Sequence, residues 1–390
     1  MPNASRVVIV AGEESGDHHA AELVKQLKAV YPDLEISGIG GKHLRAAGVH
    51  LISDLTRYAV TGLTEIIPFL KIFRKAFQDI KQHLSTQKPD LLILVDYPAF
   101  NLRLAKYAKK KLGLKIIYYI SPQIWAWKGK RIHLIKDCID KMAVIFPFEK
   151  TIYENAGVPV SFVGHPLVKK IAAAKDKHSS RTSLGLPLNE PIIALLPGSR
   201  HSEIERHIPI LVNTAKLLTL DSPKLRFVVP IAGTINPDKV KAYFSNQNLT
   251  VTFIQGQAIE CMSAADFVIV ASGTASLECA LLEKPMCIIY KSSFLTYVAA
   301  MYFIKVKFLG LCNLLANKMM VPEFLQYDCN AIELSRYISN FHNDPNQPES
   351  MINQLAKLKE SLSSSQADCS LFDLVVAELP EKMHSFDMKI

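Results

Sequence analysis

This 390-residue chain has no uncharged apolar run approaching the roughly twenty residues that a membrane-spanning helix needs. The candidate stretch 292–304 covers thirteen residues before Lys305 and Lys307 interrupt it, and it reads as a buried or interfacial segment. The seven cysteines form no CxxC pair, which argues against a zinc site or a disulfide framework and for reduced thiols in a cytoplasm. HExxH is absent, and His18-His19 are too close in sequence to share one helix face as metal ligands, so no metal is expected. Only Gly12 and Gly16 stand where a dinucleotide fingerprint needs three glycines. Ser37 and Gly38 occupy the next strand end in place of an acidic residue, which disfavours a nicotinamide dehydrogenase. No long basic block marks a nucleic-acid tail, since Lys109-Lys110-Lys111 is short. The N-terminus leads straight into the strand-like 6–10, unlike a secretory signal.

The composition that is present, 49% hydrophobic and 21% charged, belongs to a globular protein, and the length suggests two domains. A net charge of +9 favours phosphorylated ligands or an anionic membrane. Strand-like segments at 7–10, 34–38, 91–95, 115–120 and 142–145 alternate with helical patterns over 18–30 and 101–112. After the polar stretch 174–181 the alternation restarts, with strands expected at 192–196, 226–230, 251–254, 267–270 and 286–290 and a helix at 203–218. Such βαβ series form parallel sheets covered by helices. The expected fold is α/β: two Rossmann-like, doubly wound domains facing a cleft. They comprise 1–173, facing acceptor and membrane, and 182–340, holding a nucleotide. Helices in 341–390 are expected to pack back on the first domain. In this architecture ligands bind at the C-terminal strand ends.

The most informative stretch is Ser272-Gly273-Thr274-Ala275-Ser276-Leu277-Glu278, a small-residue turn between a strand and a helix. Its free amides and the positive helix end suit a phosphate. Glu278, about one helical turn beyond Thr274, can accept hydrogen bonds from a diol. Phosphate plus diol reads as a nucleotide; an ordinary turn with a surface glutamate is the other reading. Arg200, in Pro197-Gly198-Ser199-Arg200, can neutralise a diphosphate, or stand as a surface arginine. Asp96 follows the strand 91–95, where it can serve as a general base or cap the next helix. Both tryptophans, Trp125 and Trp127, follow another strand, for stacking on a sugar, lining an acyl groove, or core. Over 61–84, Ile66, Phe69, Leu70, Phe73 and Phe77 form an apolar stripe interleaved with Lys71, Arg74, Lys75 and Lys81. That pattern fits an anionic membrane surface, or a helix covering the sheet.

Six motifs occur in order: Gly12-Glu13-x-Ser15-Gly16-Asp17, Asp96-Tyr97-Pro98-x-Phe100-Asn101, Ser121-Pro122-Gln123-x-Trp125-Ala126-Trp127, Leu196-Pro197-Gly198-Ser199-Arg200, the 272–278 stretch, and Val321-Pro322-Glu323-Phe324-Leu325-Gln326. From about residue 6 to beyond 330 the chain resembles the lipid-A-disaccharide synthases, bacterial inverting glycosyltransferases of GT-B fold. The resemblance implies a reaction joining UDP-2,3-diacylglucosamine to 2,3-diacylglucosamine 1-phosphate, with UDP released and no cofactor or metal. It implies Asp96 as base, with Arg200, Ser272, Gly273, Thr274 and Ala275 on the UDP phosphates and Glu278 on the ribose. Asn313, Glu323 and Gln326 would lie in the sugar-nucleotide segment, and Ser15 and Asp17 in an N-terminal turn facing the cleft. Four positions depart from the family pattern: Glu14 replaces a small residue, Cys312 a proline before Asn313, and Asn317-Lys318 a Gly/Asp-Arg pair. None touches Asp96, Arg200 or Glu278.

The acylated substrates imply a protein peripheral on the cytoplasmic face of the inner membrane, and a homo-oligomer is compatible with the sequence. Two other functions fit the architecture: a UDP-sugar 2-epimerase, which needs no acceptor, and a carrier that binds lipid or nucleotide without turnover.

Overall fold

Continuous apolar runs become the central strands. Leu91–Val95, Ile192–Leu196 and Phe267–Ala271 are buried at every position, as strands covered on both faces must be. The computed structural model describes residues 5–56, 69–125, 131–292, 307–344 and 346–380. Ile66, Trp127 and most of the apolar stretch 292–304 lie outside these residues. The chain forms two compact units, Met1–Pro166 with Ser364–Ile390, and Leu167–Ser363.

The first unit holds β1 (Arg6–Ala11), β2 (Glu35–Ile39), β3 (His50–Ser53), β4 (Leu91–Val95), β5 (Ile116–Tyr119), β6 (Lys141–Val144) and β7 (Val160–Phe162). They make a parallel sheet in the order β3-β2-β1-β4-β5-β6-β7. The second unit holds β8 (Ile192–Leu196), β9 (Arg226–Ile231), β10 (Val251–Gln255), β11 (Phe267–Ala271), β12 (Met286–Tyr290) and β13 (Glu323–Leu325). Their order, β10-β9-β8-β11-β12-β13, is again parallel. Each sheet reverses its winding once, between β1 and β4 and between β8 and β11. Those switch points, at the C-terminal strand ends, are where open α/β sheets bind ligands.

Several boundaries differ from the sequence reading. The helix expected from residue 18 is Glu14–Val30, so Ser15 and Asp17 belong to its first turn. Gly12 leaves room there for the Tyr97 ring, which a Cβ would meet at 2.2 Å. The polar stretch 174–181 is largely the helix Lys177–Ser183, whose first turn is capped by the Asp176 carboxylate accepting from Ser179 N at 2.8 Å. Arg181 within it is buried, donating to Ala264 O at 2.9 Å and to Asp266 at 2.8 Å. The helices Ala331–Asn343 and Asn346–Ser361 belong to the second unit. Leu371–Glu378 returns to the first, where Asp368 just before it accepts from Phe162 N on β7 at 2.8 Å.

The amphipathic stripe is the helix Leu70–Gln87. Ala76, Ile80 and Leu84 are buried in it, and Phe73 and Phe77 are half-buried against the core behind β4. The Phe77 ring meets Phe100 edge-on at 5.3 Å, and Phe73 lies 6.5 Å from Tyr97. Of the two readings of this stripe, these two rings follow the second and largely cover the sheet, because the helix must bury its apolar side somewhere. Lys81 sits over the Tyr107 ring at 4.3 Å. Leu70, 55% exposed, and Lys71, Arg74 and Lys75 keep their solvent-facing positions, with Phe69 half-buried beside them. Among the described residues, no helix is long and apolar enough to cross a membrane.

Candidate active site

In the first unit, β1 and β4 are ladder neighbours in the register Ala11 to Val95. Asp96 therefore leaves the sheet at the switch point. The helix Pro98–Leu112 that follows has Tyr97 as its N-cap residue and no side-chain cap, so the Asp96 carboxylate is not spent on capping it. It accepts instead from the adjacent Tyr97 amide. Burial, and then the nearby charge of Glu13 at the end of β1, raise its pKa to about 6, and the Tyr97 bond partly offsets them. Glu13 is itself raised by burial. The result is a carboxyl group that titrates close to neutrality, the range in which a general base works best.

Beside it, the loop after β5 is tied to Glu149 in the first turn of Pro147–Asn155. Glu149 Oε1 accepts from Ser121 Oγ at 2.7 Å and from Trp125 Nε1 at 3.1 Å. Trp125 also packs edge-on against Phe148 at 5.3 Å, so this indole acts as a clamp on its loop. Glu149 is 1% exposed, and its Oε2 has no partner among the described residues. Burial raises its pKa to about 7 against the two side-chain bonds, and the charge of Asp96 adds to the rise.

Asp17 has a different task from the one the sequence suggested. It is buried, and its oxygens accept from Gly41 N at 2.6 Å, His43 N at 2.9 Å and Leu44 N at 3.2 Å. It thus caps the helix Lys42–Ala46 from a neighbouring element. Ser15 is exposed.

In the second unit the switch point lies between β8 and β11. Gly198, at φ 113°, lets Glu203 close back on the loop, where a Cβ would meet Glu203 Oε2 at 2.3 Å. Glu203 Oε2 accepts from Ser199 N at 2.9 Å and Arg200 N at 3.2 Å, and its Oε1 pairs with Arg200 Nη1 at 3.2 Å. Glu203 thus occupies the two amides just before the helix His201–Asp221, and the Arg200 guanidinium, 60% exposed, stays open to an anion. His207 ties this loop to the one after β12. It bonds Pro197 O at 2.7 Å through Nδ1 and receives Lys291 N at 3.0 Å on Nε2, an arrangement that fits the neutral ring that burial favours.

After β11, Ser272 N continues the ladder to Ile289 O at 2.9 Å. Gly273 then adopts φ 150° and ψ −162°, backbone space that is glycine's own, and starts the helix Thr274–Leu281 without a side-chain cap. The amides of Gly273, Thr274 and Ala275 have no intrahelical acceptor, whereas Ser276 N bonds Gly273 O at 3.1 Å; Gly273 and Thr274 are exposed, with Ala275 partly so. Ser272 Oγ donates to Leu309 O at 2.9 Å. That loop is fastened by Glu323, whose oxygens accept from Leu309 N and Gly310 N, each at 2.9 Å. The buried Asn313 donates to Glu323 at 2.8 Å and to Val321 O at 2.7 Å, and accepts from Met320 N at 2.7 Å. Gln326 Oε1 accepts from Ser292 N at 2.7 Å. Asn313 and Glu323 thus brace the 309–310 loop against the Ser272 turn, and Gln326 fixes the chain after β12. Glu278 points one oxygen at Lys170, 2.9 Å away.

Sequence reasoning passed over Glu13, Glu149 and His207. The rule that found Asp96, a polar residue just beyond a strand, also fits Glu13 after β1; Glu149 stands further on, in the first turn of the helix that follows β6. His207 carries no local signal, because its partners are distant main-chain groups.

A family model described as lipid-A-disaccharide synthetase matches residues 7–373. Lipid-A-disaccharide synthase 1 of Legionella pneumophila subsp. pneumophila (strain Philadelphia 1) is 99% identical over 382 residues, covering 98% of this chain and 100% of that protein. The lipid-A-disaccharide synthase of Geobacter metallireducens is 39% identical, over 98% and 99% of the two chains. Among solved structures, UDP-GlcNAc 2-epimerase from Neisseria meningitidis bound to UDP-GlcNAc matches with a TM-score of 0.61 at 14% identity, over 95% of this chain and 100% of that one. MurG of Acinetobacter baumannii matches with a TM-score of 0.56 at 15% identity, over 96% and 99%. At such identities these two likenesses bear on the fold alone.

Proposed function

The chain belongs to the lipid-A-disaccharide synthase family, and from that premise we propose that Asp96 is the base of its reaction and the β8–β11 switch point its diphosphate cradle. The chain is a hexosyltransferase of lipid A biosynthesis with a GT-B fold. It joins UDP-2,3-diacylglucosamine to 2,3-diacylglucosamine 1-phosphate, giving the β-1,6-linked disaccharide 1-phosphate and UDP. Family membership decides against the epimerase and carrier readings.

Breaking the sugar–phosphate bond leaves positive charge on the sugar and negative charge on the departing diphosphate. The uncapped amides at Gly273, Thr274 and Ala275 and the exposed Arg200 are suited to that negative charge without a metal. Glu278 takes the ribose hydroxyls, exchanging its ion pair with Lys170 for them. Asn313, Glu323 and Gln326 serve from behind, holding the loops that shape the cradle. Asp96, ionised at neutral pH, accepts the proton of the acceptor 6-hydroxyl as it attacks the face opposite the leaving group, which inverts the anomeric centre. The observation that carries the reading is Asp96 itself, at a switch point, uncommitted to capping, with a pKa raised to about 6.

The acyl chains of both substrates call for a membrane. We assign a peripheral contact, on the cytoplasmic face of the inner membrane, to Phe69 and Leu70 with the basic residues Lys71, Arg74 and Lys75.

The test is UDP release by Asp96→Ala with both acylated sugars present, each omitted in turn. Turnover is expected to fall by about 10²- to 10⁴-fold, the range of a lost general base, with UDP affinity retained. Near-normal turnover would remove Asp96 from the mechanism.

A further inference from the structure

Three non-glycine residues with left-handed backbone stand on two adjoining strand ends. Asp96 (φ 46°) and Tyr97 (φ 50°) follow β4, and Ile120 (φ 60°) follows β5. The two strands are ladder neighbours, and Asp96 N extends the ladder to Tyr119 O at 2.9 Å. The left-handed region costs an ordinary residue about 1–2 kcal/mol, and it is rarer still for a β-branched residue such as Ile120. Strain of this kind persists only where the surroundings hold it.

The holders of the first pair are visible. The main-chain carbonyl of Asp96 accepts from Asn101 Nδ2 at 2.7 Å and from Tyr118 Oη at 2.6 Å. Both donor residues are fully buried. Asn101 Nδ2 also reaches Val95 O at 3.1 Å and, more weakly, Val10 O at 3.5 Å, so one amide spans the ends of β1 and β4. Its Oδ1 is buried with no partner among the described residues. Turning the amide over would set that oxygen against three carbonyls, so the orientation is forced. A dry amide oxygen costs about 1–3 kcal/mol, which a merely space-filling side chain would avoid. The carbonyls are what this asparagine is kept for.

We propose that Asn101 and Tyr118 are positioning residues of the transfer reaction, gripping the Asp96 carbonyl and so fixing the direction in which the Asp96 carboxylate leaves the sheet edge. The proposal rests on the reading of Asp96 as the base. The peptide unit is planar, so a carbonyl held by two donors fixes ψ of Asp96 and φ of Tyr97 together. Only the side-chain torsions of Asp96 then remain free. Releasing the carbonyl lets the peptide relax toward ordinary backbone space and carries the carboxylate with it. A displacement of about 1 Å at a reacting group can cost roughly 100-fold in rate.

The test compares Tyr118→Phe, Asn101→Ala and Asp96→Ala, measuring kcat and the KM of each substrate. Near-ultraviolet circular dichroism of Trp125 and Trp127, the chain's two tryptophans, both in this unit, reports whether the unit is folded. Tyr118→Phe keeps the ring and removes only the hydroxyl. Its kcat is expected to fall about 10- to 100-fold, with both KM values within about twofold and the dichroism native, a split that a general loss of folding does not produce. Normal kcat in Tyr118→Phe beside an inactive Asp96→Ala overturns the positioning role and leaves the base intact. Near-normal turnover in Asp96→Ala overturns the base, and the proposal with it. Where Tyr118→Phe loses its dichroism, Asn101→Ala decides: a fall in kcat alone supports the proposal, and normal kcat overturns it.

Discussion

Replacing Glu149 by glutamine removes a titration while keeping the shape of the side chain. Glu149 is buried, and its pKa stands at about 7 against an ordinary value of 4.5. Between those values the folded protein holds a proton that the unfolded chain has released. Stability therefore falls as pH rises through this window, and the loss is complete above the folded pKa. At about 1.4 kcal/mol per pH unit, the window amounts to about 3 kcal/mol. Glutamine keeps an oxygen for Ser121 Oγ and Trp125 Nε1 but sets an NH2 where Oε2 finds no partner, a pH-independent cost of about 1–2 kcal/mol. Glu149→Gln is thus expected to be less stable than the parent by about 1–2 kcal/mol at about pH 4, and more stable by a similar amount at about pH 8. Urea denaturation followed by tryptophan fluorescence measures both, since Trp125 donates to this very carboxylate. The crossing of the two stability curves is the signature. A constant offset at both pH values would mean that Glu149 ionises in the folded protein as freely as in the unfolded chain, and would refute the reasoning.

Two further predictions concern the ligands. Arg200→Ala and Glu278→Ala should each weaken UDP binding by about 5- to 20-fold, the scale of one charge-assisted hydrogen bond of about 1–2 kcal/mol; calorimetry showing unchanged affinity would count against the role of the residue concerned. Charge reversal of Lys71, Arg74 and Lys75 to glutamate should lower binding to vesicles containing anionic lipid, at about 1 kcal/mol for each cation lost, and leave neutral vesicles unaffected. Equal binding before and after reversal would move the membrane contact elsewhere.

Much of this was legible along the chain. The strands buried on both faces announce themselves as unbroken apolar runs, and ten of the strands follow from these or from shorter, interrupted apolar segments. The three that escape notice, β3, β7 and β13, are only four, three and three residues long. A ladder partner defines them, and no internal pattern does. Asp96, Arg200 and the Ser272 turn could be singled out as candidates because each follows a strand end, and in a parallel sheet all such ends lie on one side. Asp17 misled for the same reason: it too sits near a strand end, but the amides it serves come from the distant residues 41–44. Phe73 and Phe77 were left open between lipid and sheet because an apolar stripe reads alike whichever it faces.

The sequence by itself determined the fold class and the family and singled out the candidate residues for the reaction, because apolar periodicity and short ordered motifs are properties of neighbours along the chain. Only the tertiary structure decided what each polar side chain is bonded to. It sets Glu13 near Asp96, dries out Glu149, aims Asn101 and Tyr118 at one carbonyl, and bonds Asn313 and Glu323 to the 309–310 loop and the chain around it. Proton affinity and orientation depend on burial and on partners brought from far along the chain, and those exist only once the sheets have formed.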